Sequence, residues 1–310
     1  MPKLRLLDIK PTQLYISADK LARVNEQIRS KGRETYEPIP VKRIGNELFF
    51  TDGHTRALAL WRNGTEKIEV IEDTDEMDWI MYLPDLQWCR DAGITSIADL
   101  DGRVVAADAY QRLWIDRCSE SHDRLVASPI ADLEIGLIDD SAEKGAICDE
   151  ILRSLPEWFG IEEAIVDYIA ESRNLPFAFL RLYGKVIGFC ALKIHYSVNC
   201  DLYVLGIFRE FHRRGVGRRM IEYIETYCRD RSIPYMTVKT LSEKSSDENY
   251  RKTRAFYEAC GFVAFEEFPT LWGAANPCLY MMKAVDLETW RTRRALRALS
   301  VSNYRAAKKP

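Results

Sequence analysis

The sequence predicts an α/β (α+β) protein made of two successive domains. Three observations predict it. The chain has 310 residues, more than one globular domain usually holds. Short runs rich in β-branched and aromatic residues alternate with segments of helical period along its whole length. Several neighbouring strand runs are joined by turns of two or three residues, which only antiparallel strands permit, so the order of elements is not that of a doubly wound parallel sheet.

Composition narrows the class. The chain is 47% hydrophobic and 29% charged with a net charge of −3, the profile of an ordinary globular protein rather than a disordered one. No run of 18 apolar residues occurs, and the first twenty residues lack the apolar core of a signal peptide, so the cytoplasm is the expected location and no membrane the expected partner. The eight cysteines are far apart, with no C-x-x-C and no Cys/His pair at metal-ligand spacing. Reduced thiols packed as small hydrophobes are expected, and no metal site. Residues 286–310 carry seven Lys/Arg against Asp286 and Glu288, a net of +5 that leaves −8 on the rest. An acidic body argues against a nucleic-acid footprint and suits an amine-bearing partner. The basic tail reads as a solvated terminal helix, with an acidic or RNA surface as its other reading.

In chain order, the helical pattern from Ala18 to Ser30 places Leu21, Val24 and Ile28 on one face. PIPVKRIGNELFF follows as two short strands about Gly45-Asn46, and the second runs through Thr51-Asp52-Gly53-His54-Thr55-Arg56 into a helix ending at Asn63-Gly64. A strand KIEVIED comes next, with helical segments at 79–92 and 106–118. The polar stretch 119–130 breaks the pattern and is read as the boundary, giving domains at 1–126 and 131–285 and the tail at 286–310. The second domain reads as strand 133–138, helix 161–172, a hairpin of strands 177–182 and 186–196 about Tyr183-Gly184-Lys185, and strand 201–208. Helix 217–231, strand 235–241, helix 250–260 and strands 263–268 and 279–284 complete it. The expected result is a mostly antiparallel mixed sheet with helices on both faces.

Two loops carry chemistry. Between the strand ending at Ile207 and the next helix lie Arg213, Arg214, Gly215, Val216, Gly217 and Arg218. First-turn amides lack intrahelical partners and the helix dipole is positive there, so glycines at 215 and 217 let the backbone approach an anion. The same loop could merely turn the chain. His212-Arg-Arg-Gly-Val-Gly217 resembles the pyrophosphate-binding motif of the GNAT acyltransferase superfamily, with His in the first position instead of Gln or Arg, so the amides of 213–218 carry the expectation. Phe256-Tyr257-Glu-Ala-Cys-Gly261-Phe262 resembles the second motif of that superfamily, in the right order and spacing, and Pro156–Gly160 and Glu267–Cys278 resemble one of its subgroups.

The resemblance implies acetyl-CoA as cofactor and an amine substrate in a small molecule or peptide. It implies Tyr257 as general acid to the departing thiolate, Asp201 as base, and backbone groups of Leu205 and Ile207 for the pantetheine arm. Proton transfer is needed because an alkyl ammonium with pKa near 10 is no nucleophile. Strand alternation puts Asp201 on one face with Tyr203, Leu205 and Ile207. The structural alternatives are a solvated strand-end Asp201 and a packing Tyr257.

The second loop, Asp52-Gly53-His54-Thr55-Arg56 before a helix, offers small and donor-rich residues to a phosphate, or is a plain Asp-Gly connection. With Pro40-Val41 and the short hairpin it resembles the ParB/sulfiredoxin-like fold, which implies nucleotide or phosphate binding. No cysteine lies in the loop and no basic helix-turn-helix follows, so neither sulfinic-acid chemistry nor partition-type DNA binding is expected. The leading expectation is therefore an N-acetyltransferase with a nucleotide-binding N-terminal domain. Its alternatives are a DNA-associated regulator that recruits a protein acetyltransferase, and an acyl-CoA-binding module without turnover.

Overall fold

A computed structural model describes residues 2–32, 36–74, 79–128, 130–273 and 275–285, so the basic tail lies outside the described residues. The chain divides into two compact units, residues 1–133 with the turn 182–185, and 134–181 with 186 onward.

The first unit holds a four-stranded sheet in the order β1-β5-β3-β4, formed by β1 (Lys3–Arg5), β3 (Ile39–Ile44), β4 (Glu47–Phe50) and β5 (Lys67–Glu72). β3 and β4 pair antiparallel about the predicted turn, and β3 runs parallel to β5. A two-residue strand β2 (Ile16–Ser17) leads into α1 (Ala18–Lys31), whose first turn is capped by the Ser17 hydroxyl accepting from the Lys20 amide at 3.4 Å. Between β4 and β5 lies α2 (His54–Arg62), where Ala57, Leu58, Ala59 and Leu60 are buried. Four consecutive buried residues exceed one amphipathic stripe, as expected of a helix covered on most sides. α3 (Tyr82–Asp91), β6 (Val104–Val105, parallel to β2), α4 (Ala107–Tyr110) and α5 (Asp116–Ala127) complete the unit. A π-turn, Gln111–Ile115, joins α4 to α5.

The helix therefore continues to Ala127, and the stretch read as a break at 119–130 is helical over most of its length. Ser121 and Leu125, one turn apart, are buried on an otherwise polar surface. That narrow stripe satisfies a helix without producing an obvious apolar period.

The second unit is a seven-stranded sheet in the order β12-β13-β11-β10-β9-β8-β7. In chain order its elements are β7 (Glu134–Ile138), α6 (Ser141–Arg153), α7 (Glu162–Ser172), β8 (Phe177–Leu182), β9 (Lys185–His195), β10 (Asn199–Ile207), α8 (Val216–Asp230), β11 (Tyr235–Leu241), α9 (Glu248–Ala259), β12 (Val263–Phe268) and β13 (Cys278–Ala284). The β8–β9 turn has positive φ at Tyr183 (47°) and Gly184 (72°), the conformation that joins two twisted strands tightly. α6 is an element the sequence reading passed over. Asp140 caps it, accepting from the Glu143 amide at 2.7 Å, and it buries Ile147, Cys148, Ile151 and Leu152.

The predicted mostly antiparallel sheet is found, with one exception that matters. β10 and β11 run parallel, and their ladder spans only Asn199–Leu202 against Tyr235–Val238. Beyond that point β11 continues to Leu241 paired with β13, and β10 continues to Ile207 paired with β9. The two strands diverge, leaving a wedge in the sheet. All these elements are α/β in class, and among the described residues no helix is long and apolar enough to cross a membrane.

Candidate functional site

The wedge begins at a bulge. β10 is in register with β9 through Leu202 opposite Leu192, then shifts so that Val204 faces Ala191, with Tyr203 the extra residue. The bulge reverses the alternation expected from sequence. Tyr203 packs on Tyr168 of α7 with ring centroids 5.4 Å apart, and a Cβ on Gly206 would point at Ile151 of α6, 2.8 Å away. Ile207 instead reaches the opposite face, where its Cδ1 lies 3.5 Å from the Cβ position of Gly217 in α8. Asp201 thus keeps Tyr203 as a neighbour on the α6–α7 face, while Leu205 and Ile207 project toward α8. The expected common face is corrected on that point.

The bulge also aims the backbone. The Phe208 amide donates to the Ile187 carbonyl at 3.0 Å, and opposed pairs in an antiparallel ladder alternate between bonded and non-bonded. Val204 and Gly206 therefore turn their peptide groups to β9. Leu205 and Ile207 turn theirs into the wedge, where β11 does not pair with them. The Ile207 carbonyl is already occupied, since His212 Nε2 donates to it at 2.8 Å. Burial lowers the pKa of that imidazole, which keeps it neutral. His212, in the position where the motif has Gln or Arg, thus braces the mouth of the wedge.

The loop past the wedge turns left-handed twice, at Arg213 (φ 65°) and at Gly215 (φ 79°), which is the N-cap of α8 and has no side-chain cap. The free first-turn amides of α8 follow. The two glycines differ in purpose. A Cβ on Gly215 would meet nothing within 4 Å, so the space beside this amide is open. A Cβ on Gly217 would lie 3.0 Å from the Phe256 ring, so that glycine is required by packing against α9 rather than by an anion. Arg214 Nε donates to the Glu210 carbonyl at 3.0 Å and Arg218 Nη2 to the Ala259 carbonyl at 3.1 Å, while Arg213 is exposed.

Tyr257 of α9 packs between Phe256 (5.2 Å) and Phe262 (5.6 Å) and is 6% exposed. No hydrogen bond to its hydroxyl is found among the described residues. Burial pushes the phenol well above its ordinary pKa, so the group stays protonated at neutral pH. Asp201, 2% exposed, has both carboxylate oxygens engaged: Thr237 Oγ1 donates to one at 3.1 Å and Lys239 Nζ to the other at 2.6 Å. Thr237 Oγ1 also accepts from Tyr280 Oη at 3.0 Å and from Asn199 Nδ2 at 2.9 Å.

Residues the sequence reading missed tie these parts together. Trp158 donates from Nε1 to Thr253 Oγ1 at 3.1 Å, accepts at its carbonyl from Tyr250 Oη at 2.9 Å, and meets His212 edge-on at 5.6 Å. Lys239 was the other omission. A lysine two residues from Thr237, the one charged residue of its strand, was the signal available for it.

In the first unit, the chain passes from β4 through Thr51 and Asp52 to Gly53, the left-handed N-cap of α2 (φ 77°). A Cβ there would lie 2.9 Å from Ile39 Cγ2, so both conformation and space demand glycine. His54 turns inward. It is 4% exposed, its Nε2 accepts from the Thr12 amide at 3.0 Å, and burial lowers its pKa to about 4. Its neutral ring is committed to the protein core, so any anion at this helix start would meet the amides, Thr55 and Arg56 instead. Arg56 reaches the Asp52 carboxylate at 3.8 Å and the Glu37 carbonyl at 3.5 Å, and Asp52 is largely exposed.

All eight cysteines are free, and among the described residues no cluster of His, Cys, Asp and Glu could hold a metal. A search of curated proteins returned no match to the chain. Solved structures similar to it include a protein of Desulfovibrio desulfuricans described as a GNAT-family acetyltransferase, at 16% identity and a TM-score of 0.44, covering 50% of this chain and 99% of that one. Ard1 from Thermoplasma volcanium follows at 17% and 0.41, covering 50% and 98%. The ribosomal-protein-S18-alanine N-acetyltransferase of Escherichia coli stands at 14% and 0.39, covering 50% and 95%. Residues 145–262, from within α6 to just beyond α9, match the model of the acetyltransferase (GNAT) family. That match lies within the second unit and spans 118 of the chain's 310 residues.

Proposed function

We propose that this chain transfers an acetyl group from acetyl-CoA to an amine of a small molecule or peptide. The observation that carries the reading is the wedge between β10 and β11, which opens beside the uncapped, glycine-started helix α8. The open space at the Gly215 Cβ position fits a phosphate approaching the amides of 213–218. Leu205 and the Ile207 amide present strand-like hydrogen-bonding groups to an extended arm along the wedge. When bound, acetyl-CoA supplies an activated acyl thioester. Tyr257 is the candidate donor of a proton to the departing thiolate, a role supported by its protonated phenol. Asp201 is the candidate acceptor for the amine proton, and Lys239 must then yield one carboxylate oxygen to the incoming ammonium.

Titration calorimetry with CoA, followed by thiol release from acetyl-CoA across a panel of amines, tests the reading. Micromolar binding and amine-dependent release are expected. Binding without release under any amine favours an acyl-CoA-binding module, and no binding ends the proposal.

For the first unit we propose nucleotide or phosphate binding at the start of α2, supported by the left-handed Gly53 and the adjacent Thr55 and Arg56. Thermal shift of the full chain with ATP, ADP and CTP is the check, and no response to any of the three removes it.

A further inference from the structure

Lys239 is the first residue of β11 that β10 no longer pairs, since the ladder ends at Leu202 opposite Val238. On its other side it remains opposite Tyr280 of β13, and its ammonium lies 5.1 Å from the centre of that ring. It therefore sits at the closed end of the wedge. From Tyr203 to Ile207 the strand covers about 13 Å at roughly 3.3 Å per residue. A chain anchored by its phosphates at α8 and running inward along Ile207 and Leu205 directs its far end at this point.

What an acceptor substrate must bring there is an amine within hydrogen-bond reach of a carboxylate that can take its proton. Lys239 already supplies both. Its Nζ is 2.6 Å from Asp201 Oδ2, the carboxylate side chain is 3% exposed, and the lysine side chain keeps 34% exposure on the open side. We propose that Lys239 is itself an acetyl acceptor, so that the protein modifies itself at this residue in the absence of a competing amine. The inference rests on the acetyl-CoA reading above.

The step balances. A proton passes from the Lys239 ammonium to Asp201 Oδ2, and the neutral Nζ forms a bond to the acyl carbon. The carbon–sulfur bond breaks, the departing sulfur takes a proton from Tyr257 or solvent, and the second proton that the nitrogen sheds as the amide forms passes through solvent to restore that donor. The products are CoA thiol and an N-acetyl-lysine amide beside a protonated Asp201. An ionic pair becomes a neutral pair, so no unpaired charge is left on the buried Asp201 carboxyl. The amide is not an acyl donor, and the ion pair that orders Asp201 is gone.

The full chain incubated with carbon-13-labelled acetyl-CoA, then digested and examined by mass spectrometry, provides the test. Label at Lys239 is expected to accumulate at least tenfold faster than at Lys244, whose side chain is 68% exposed and serves as the internal standard for uncatalysed acylation. Asp201→Asn should reduce the Lys239 rate to that of Lys244, and an added good acceptor amine should suppress it. Denatured chain, in which both lysines are equally exposed, should lose the difference even where the Asp201 variant does not fold. Calorimetry with CoA on the same preparation separates the two ideas. Binding of CoA with Lys239 labelled no faster than Lys244 overturns self-acetylation alone, and absence of binding overturns the acetyl-CoA reading together with it.

Discussion

Gly215 offers a way to ask whether the start of α8 holds a ligand, because the residue touches nothing on its open side. A Cβ there meets no protein atom within 4 Å, whereas a Cβ on Gly217 would press into Phe256 at 3.0 Å. Gly215→Ala pays the left-handed conformation, about 1–2 kcal/mol of stability. Gly215→Asn is better tolerated at this φ and should cost less. The added Cβ has no protein neighbour within 4 Å, so a fall in CoA affinity that exceeds the folding effect reports an occupant of that space. Losing one charge-assisted hydrogen bond to an amide is worth about 1.5–3 kcal/mol, which raises Kd roughly tenfold to a hundredfold. Gly217→Ala should do the reverse, costing about 1–3 kcal/mol through overpacking while the amides stay open. Calorimetric titration with CoA well below each melting temperature, paired with thermal melts, separates the two quantities. A Gly215→Asn protein that melts normally and binds CoA with an unchanged Kd would refute a phosphate seat at this helix.

Tyr257→Phe should lower kcat for acetyl transfer roughly a hundredfold or more, the usual worth of a positioned general acid, and leave CoA affinity by calorimetry essentially intact. An undiminished kcat removes Tyr257 from the reaction. His54 should make the chain acid-sensitive: its folded value of about 4 lies below the ordinary 6.5, so the unfolded chain protonates first. The stability it confers is complete above 6.5, falls as pH drops through that interval, and is lost by 4, a total of about 3 kcal/mol. Unfolding of wild type and His54→Gln between pH 7.5 and 4.5 should show the steeper loss in wild type only, and parallel curves would contradict the buried neutral ring. Arg56→Ala should abolish any thermal stabilisation by nucleotides while leaving CoA binding unchanged; a retained nucleotide response places the phosphate elsewhere.

Much of this architecture is legible in the sequence because its signals are local. The burial of Met220, Ile221, Ile224, Tyr227 and Cys228 in α8 follows directly from helical period, and the Asp-Gly and Gly-x-Gly turns stand where the backbone turns left-handed. What stayed hidden depends on contacts distant in sequence. α5 shows a stripe of only Ser121 and Leu125, too narrow to register against a polar background. His54 looked like a phosphate ligand because its loop is donor-rich, and only Thr12, 42 residues away, reveals that the ring faces inward. Lys239 was passed over because its partner Asp201 lies 38 residues earlier on the adjoining strand.

The bulge at Tyr203 is the sharpest case, because one inserted residue decides which groups can act together. Without it, strict alternation would send Leu205 and Ile207 to the side of Asp201, and their peptide groups would turn to β9 rather than to the wedge. With it, the carboxylate and Lys239 lie at the base of the wedge, Tyr203 faces α7, and the opposite face belongs to α8 and α9, which carry the open helix start and Tyr257. The proposed reaction needs that separation. The amine must lose its proton on one side of the acyl carbon while sulfur gains one on the other. Removing the bulge by deleting Tyr203 therefore perturbs more than packing. It would return β10 to unbroken register with β9, close the wedge against β11, and be expected to abolish CoA binding and acetyl transfer together.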